Sequence, residues 1–256
     1  VGATLLLAVW MGLKRQKLFT PDKSLIPGLI AGFLFATEFL LIYLGLSYTS
    51  ASRSIIFIYT APFVVALGAH LFLPAEKLRP LQVLGLVCAF AGILTAFADG
   101  LSLPDQSVLI GDALALAGAI LWGATTILVK ASVLVRIPPA KTLFYQLAVS
   151  ALLLPPASLM MGEPGIIHLG LTALGSLIFQ TVIVAFASYL AWFWLIAHYP
   201  AARLAAFTFL TPLFGLAFGS IILSEPITVL LLLALTLVAA GIWLVNRTGR
   251  KRQEPC

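Results

Sequence analysis

The chain has 256 residues, 61% of them apolar and 9% charged, with a net charge of +6 and a mean hydropathy of +1.10. A soluble domain carries about 45–50% apolar and about 25% charged residues, so a water-soluble fold is excluded, and the positive charge is not a nucleic-acid signal. The apolar residues come in blocks of about 20, the length a helix needs to cross a bilayer, and lack the short alternating segments of a membrane barrel.

In chain order the expected spanning segments are 1–13 (too short to span), 25–46, 54–73, 81–98, 111–129, 143–161, 169–196, 202–223 and 227–245. The loops between them are short and punctuated by prolines such as Pro21, Pro74, Pro80, Pro104, Pro164, Pro200 and Pro226. No linker could hold a separate soluble domain. Cys88 and Cys256 offer neither a disulfide framework nor a metal site.

The chain carries an internal duplication. At a shift of 150 residues Ala51, Arg53, Phe57, Pro62 and Leu73 fall on Ala201, Arg203, Phe207, Pro212 and Leu223. At 149, Glu76 falls on Glu225, and Ala91-Gly92-Ile93 on Ala240-Gly241-Ile242. Met11-Gly12 likewise matches Met161-Gly162, and the register predicts roughly 40 further residues in front, enough for a spanning helix and part of another. The first repeat is read as residues 1–98, lacking its first helix and part of the second; the second as 111–246; residues 247–256 form a basic tail.

Assigning alternate loops to opposite faces puts fourteen Lys and Arg residues on one face and only Arg53 on the other. The positive-inside bias makes the first face, with the C-terminus, cytoplasmic. Arg53 then lies at the outer end of its helix and Arg203 at the inner end of its own, so the repeats are inverted. Such repeats are an architecture of secondary transporters, with the substrate near the midplane between them.

The runs Tyr59-Thr60-Ala61-Pro62, Glu76-Lys77-Leu78, Ala201-Ala202-Arg203, Thr211-Pro212 and Ser224-Glu225-Pro226 occur in that order. Gly111-Asp112 precedes Ala119-Ile120-Leu121-Trp122-Gly123. With these the chain resembles the drug/metabolite transporter superfamily, specifically its EamA-type exporters. The resemblance implies an all-α membrane bundle of two inverted five-helix repeats, ten helices when complete and about nine here. Where that family has Gly-Glu, the first copy has Ala75-Glu76.

Glu38 is the one carboxylate well inside a spanning segment. A charge there costs about 2.5–3.5 kcal/mol on insertion scales. It is read either as a cavity-facing proton-coupling group or partner of a cationic substrate, or as a carboxylic acid hydrogen-bonded to a neighbouring helix. Pro62 and Pro212 sit mid-helix at equivalent places, each leaving the carbonyl four residues back without its usual donor. They are read as a pair of hinges, or else as packing kinks. Tyr59, Thr60, Thr208 and Thr211 flank them. Gln180, Ser188, Tyr189 and Trp192 share one segment, Ser188 being the counterpart of Glu38, and Trp122 and Thr126 share a helix face. These are the substrate-cavity candidates, with membrane-interface anchoring or lipid-facing packing as the alternative for the aromatic ones. Tyr145 and Gln146 begin the next segment. His70 is read as an interface hydrogen-bonding residue, and Arg53 and Arg203 as snorkelling or pairing with an acidic end-loop residue, or else as gates. Glu76 and Glu225 are read as caps of the helices that follow them, and Gly28-x(3)-Gly32 and Gly215-x(3)-Gly219 as close-packing motifs.

The expected function is a multi-pass inner-membrane carrier that exports or exchanges small polar or amphipathic metabolites, amino acids among the candidates, by alternating access. Protons are the candidate coupling ion. No phosphate loop occurs, so ATP is not the driver, and no cofactor or catalytic residue is expected. A channel or an integral membrane enzyme are the other classes. The three histidines are isolated and neither H-E-x-x-H nor G-x-S-x-G occurs. Oligomeric state and transport direction are open.

Overall fold

The computed structural model describes residues 1–16, 21–98, 101, 103–163, 165, 169–223 and 229–247. The Ser224-Glu225-Pro226 exit, Pro164, His168 and Cys256 lie outside them, as do Lys17, Arg250, Lys251 and Arg252 of the basic face. The described residues form helices and no strand: α1 (Gly2–Leu13), α2 (Leu25–Leu46), α3 (Ala51–Ile58), α4 (Ala61–Phe72), α5 (Pro80–Ala96) and α6 (Gln106–Ala131). After a 3-10 turn at Val133–Val135 come α7 (Pro139–Met160), α8 (Leu171–Ile178), a π-helical segment (Phe179–Ser188) and α9 (Tyr189–His198). The last three are α10 (Ala201–Phe207), α11 (Leu210–Leu223) and α12 (Val229–Arg247). Among the described residues seven helical spans, two of them interrupted by a turn, are long and apolar enough to cross a membrane, and Gly2–Leu13 and Pro80–Ala96 are shorter apolar helices. The protein is a polytopic helical membrane protein.

Several boundaries differ from the sequence reading for local chemical reasons. The expected segment 111–129 starts five residues earlier. Asp105 caps it, accepting from Val108 N–H at 2.9 Å, with the Ser107 hydroxyl donating at 2.8 Å. Those bonds hold the Asp105 carboxyl below its ordinary range. The segment 54–73 begins at Ala51, because Ser50 Oγ accepts Arg53 N–H at 3.3 Å and supplies the N-cap.

The segments carrying Pro62 and Pro212 are each two helices. A turn at Tyr59–Thr60 separates α3 from α4, and one at Thr208–Phe209 separates α10 from α11. The prolines are therefore not mid-helix. Each stands in the first turn of the second helix, where a missing N–H costs nothing. The Thr60 and Thr208 hydroxyls donate back to Phe57 O at 2.6 Å and Ala205 O at 2.7 Å, as membrane depth requires.

The chain packs as two units. One comprises residues 1–40 and 128–199, the other 41–127 and 200–256. The boundary falls inside α2 and α6, so neither unit is a single stretch of sequence.

In the first unit α2 lies along α7. A Cβ on Gly28 would fall 2.4 Å from the Tyr145 ring, and one on Gly32 2.7 Å from the Val149 side chain. Small residues let helices approach in lipid, where apolar surface gives no preference for protein over acyl chain. Gly215 of the second motif does not repeat this, since a Cβ there would meet nothing among the described residues within 4 Å.

In the second unit α5 and α12 pack backbone to backbone along their length. A Cβ on Gly85 would lie 2.6 Å from Gly241 O, and one on Gly92 2.9 Å from Ala234 O. The two helices therefore run antiparallel. At a shift of 149, Gly85 corresponds to Ala234 and Gly92 to Gly241, so each contact maps onto the other. Midway between them Cys88 Sγ donates to Leu237 O at 3.4 Å, and Leu237 is the counterpart of Cys88. Around this seam Leu86, Ala89, Ile93, Ala206, Phe209, Leu213 and Val238 form the buried core.

Candidate functional site

The second unit brings the two broken helices together at their breaks. The Tyr59 and Phe209 rings lie 6.1 Å apart, and the Trp122 ring meets Tyr59 edge-on at 6.5 Å. Tyr59 and Phe209 are equivalent residues at the shift of 150. The Tyr59 hydroxyl also has the Thr211 side chain as hydrogen-bond partner. Trp122 is carried in by α6, which approaches α4 at Gly123, where a Cβ would fall 2.5 Å from Val64. Thr126, one turn beyond Trp122, is buried. Of the sequence candidates, Tyr59, Trp122 and Thr211 therefore form one cluster beside Pro62 and Pro212, with Phe209 as the member that was not foreseen.

At the start of α3, opposite the Tyr59 end, is a buried ionic clasp. Arg53 Nε donates to both Asp112 oxygens at 3.1 Å, and its terminal NH2 pairs with Oδ2. Thr49 Oγ1 donates to Asp112 Oδ1 at 2.9 Å. Gly45 and Gly111 make room, because a Cβ on Gly45 would lie 3.0 Å from Gly111 O. Arg53, Asp112 and Thr49 are all buried.

Polar groups of the first unit are held differently. Glu38 is 5% exposed, and its Oε2 is buried with no hydrogen-bond partner among the described residues. Gln146 and Ser150, one turn apart on α7, are also buried, and neither the Gln146 amide nor Ser150 Oγ has a hydrogen-bond partner among the described residues. Each such group costs about 1–3 kcal/mol. Phe35, one turn before Glu38 on α2, packs edge-on against Tyr189 at 5.3 Å. Gln180 and Ser188 are exposed and bonded within their own helix, to Ser176 Oγ at 3.1 Å and Val184 O at 2.6 Å. Trp192 is half-buried.

At the basic ends of this unit's helices, Lys141 pairs with Asp22 at 2.7 Å while 3% exposed. Ser24 Oγ lies 2.9 Å from the Tyr145 hydroxyl and donates to Asp22 at 2.5 Å. Lys130 Nζ binds the Ile196 and Tyr199 carbonyls, both at 2.6 Å, closing the end of α9.

Among the described residues no group of three or more His, Cys, Asp or Glu side chains could hold a metal ion. The constellation is two broken helices, paired charges at helix ends and polar side chains buried at membrane depth. The chain matches the EamA-like transporter family over residues 1–98 and 109–247. It belongs to that family.

This EamA-like protein is 24% identical to the uncharacterized transporter YoaV of Bacillus subtilis, covering 99% of this chain and 86% of that one. It is 29% identical to a second uncharacterized Bacillus subtilis transporter, YvbV, over 82% and 68% of the two chains. A probable amino-acid metabolite efflux pump of Escherichia coli is 28% identical over 71% of this chain and 62% of its own. A solved crystal structure shares the fold with a TM-score of 0.81 at 19% identity, covering 95% of this chain and 85% of that one. The protein is a membrane transporter of small molecules and not an enzyme.

Two readings of individual residues change. Glu76 does not cap the helix that follows it. Its Oε2 accepts Ala201 N–H at 2.6 Å, at the start of α10, while Gln82 Oε1 takes the Arg79 N–H in front of α5. Glu76→Ala is expected to lower stability by about 1 kcal/mol, read as a drop in Tm in detergent, with Glu76→Gln losing less. Arg53 reaches Asp112 within α6 rather than a loop carboxylate. His70 takes the Leu78 N–H on Nδ1 at 3.1 Å, with Lys77 Nζ on its carbonyl at 2.7 Å, in keeping with a hydrogen-bonded interface role.

Proposed function

We propose that the chain is a secondary carrier in the inner membrane, with its C-terminus in the cytoplasm, that exports or exchanges small polar or amphipathic metabolites by alternating access between inverted repeats. Amino acids are the first substrates to try, since the Escherichia coli relative is named for their export. The observation that carries the reading is the meeting of equivalent residues, Tyr59 with Phe209 and Cys88 with Leu237. Equivalent residues that meet on antiparallel helices, with the Gly85–Gly241 and Gly92–Ala234 contacts mapping onto each other, are what a two-fold relation between the repeats produces. Antiparallel α5 and α12 support an axis in the membrane plane, as in carriers built from inverted repeats. The turns at Tyr59–Thr60 and Thr208–Phe209 supply the hinge positions, with Pro62 and Pro212 fixing the start of each following helix.

Glu38 is the coupling group in this reading, the carboxyl whose buried Oε2 has no hydrogen-bond partner among the described residues. In proteoliposomes loaded with amino acids, saturable uptake stimulated by counter-substrate is expected; ohmic conductance would make the protein a channel instead. Glu38→Gln is expected to abolish flux driven by a pH gradient while substrate exchange persists. A variant with wild-type proton dependence would remove Glu38 from coupling. Labelling from each side is expected to find Arg53 and Arg203 on opposite faces.

A further inference from the structure

The first unit carries a cavity of about 480 Å³ between the end of α1, the start of α7 and the π-helical segment with α9. Its walls are Trp10, Phe186, Leu190, Trp194 and Pro138 with small alanines, and the one polar side chain is Gln16. Trp10 and Phe186 close it edge-on at 6.2 Å. The size falls within the range of about 300–1,000 Å³ typical of small-ligand sites. A polar metabolite would find a single amide there and leave its other groups unmatched, whereas a hydrocarbon chain fits the lining.

The rim has the opposite character. Lys14 and Arg15 immediately precede Gln16, and Arg136 lies two residues before Pro138; all three are exposed. Helix α1 ends with Arg15 in the left-handed region, φ 52. Arg15 N–H bonds Gly12 O at 3.0 Å and Gln16 N–H bonds Met11 O at 2.9 Å. This is the Schellman closure, in which glycine normally occupies the Arg15 position; a side chain there costs roughly 1 kcal/mol or more. The turn folds Gln16 back onto the groove, with the exposed Lys14 and Arg15 directly before it in the chain. The helix ends here all lie on the basic face, at the depth where tryptophans anchor to the interface.

We propose that this groove is a binding site for an anionic phospholipid of the leaflet on the basic face. One acyl chain lies between Trp10, Phe186, Leu190 and Trp194. Gln16 meets the ester region, and Lys14, Arg15 and Arg136 hold the phosphate. Basic residues at a membrane surface each favour anionic lipid, so three of them together give a preference of at least about tenfold over a zwitterionic lipid.

The test uses the protein in phosphatidylcholine nanodiscs doped with brominated phosphatidylglycerol or brominated phosphatidylcholine. Tryptophan quenching is read in the wild type and in Trp10→Phe/Trp194→Phe, so that the difference isolates the groove. Brominated phosphatidylglycerol is expected to quench at about tenfold lower mole fraction than the choline lipid. Lys14→Gln/Arg15→Gln/Arg136→Gln should abolish that preference with unchanged Tm, and Ala191→Leu, which narrows the groove, should weaken quenching by both lipids. Equal quenching by the two lipids overturns the proposal, as does a triple variant that keeps the preference. Relief of the phosphatidylglycerol quenching by millimolar inorganic phosphate would assign the cations to free phosphate and overturn it as well.

Discussion

Asp112→Ala is expected to destabilise the folded protein by about 3–5 kcal/mol, the cost of removing one partner of a buried ion pair. The substitution leaves the Arg53 guanidinium buried without its carboxylate and takes the acceptor from Thr49 Oγ1. Asp112→Asn keeps the shape and one oxygen but not the charge, so it should fall between wild type and alanine. The decisive comparison is the double variant Arg53→Met/Asp112→Leu, which removes both charges at similar volume. It should recover most of the loss, because the desolvation of two ions then disappears together with their attraction. Equilibrium unfolding in mixed micelles measures all four proteins. A double variant as unstable as Asp112→Ala would mean that the site depends on shape rather than on charge.

Gly241→Leu should be nearly as damaging, at the upper end of the ~1–3 kcal/mol range for overpacked sites or beyond it. The first added carbon would fall 2.5 Å from Gly85 O and 2.6 Å from Ala89 N. Both are backbone atoms of α5, so no side-chain rotation relieves the clash and the helices must separate along their length. Gly215→Leu is the control. It lies on α11 with open space around its Cβ direction, and its effect should stay within about 0.5 kcal/mol. A retained Tm for Gly241→Leu would show that α5 and α12 slide freely past each other.

Which helices exist was legible in the sequence because membrane spans are set by length and apolarity, and the prolines at 62 and 212 marked the two interrupted rods. The partners of the polar groups were not legible. In lipid the outer face of a helix is as apolar as its packed face, so no periodic stripe says which side of α6 turns toward Arg53. Asp112 was visible as a carboxylate near a helix start; only the close approach of Gly45 and Gly111 gives it Thr49 and Arg53 as neighbours. Glu76 had the composition of a local cap, and the long-range choice of Ala201 depends on where α10 begins in space. The π-helical stretch from Phe179 to Ser188 has no glycine or proline within it to announce it. The recurrence at 150 and 149 residues was the most informative signal, since it related the two broken helices and the α5–α12 pair. Which equivalent residues touch, Tyr59 with Phe209 and Cys88 with Leu237, came only from the structure.

Cys88 with Leu237 and Tyr59 with Phe209 are fixed points of the duplication. When two halves of such a chain trade roles, a contact away from the axis, such as Gly85 with Gly241, must take on the geometry of its twin, Gly92 with Ala234. A contact on the axis has no twin and nothing to exchange. In the alternating access proposed above these two spots act as the fulcrum, so a crosslink placed there should leave the swing intact while the same crosslink a turn away would jam it.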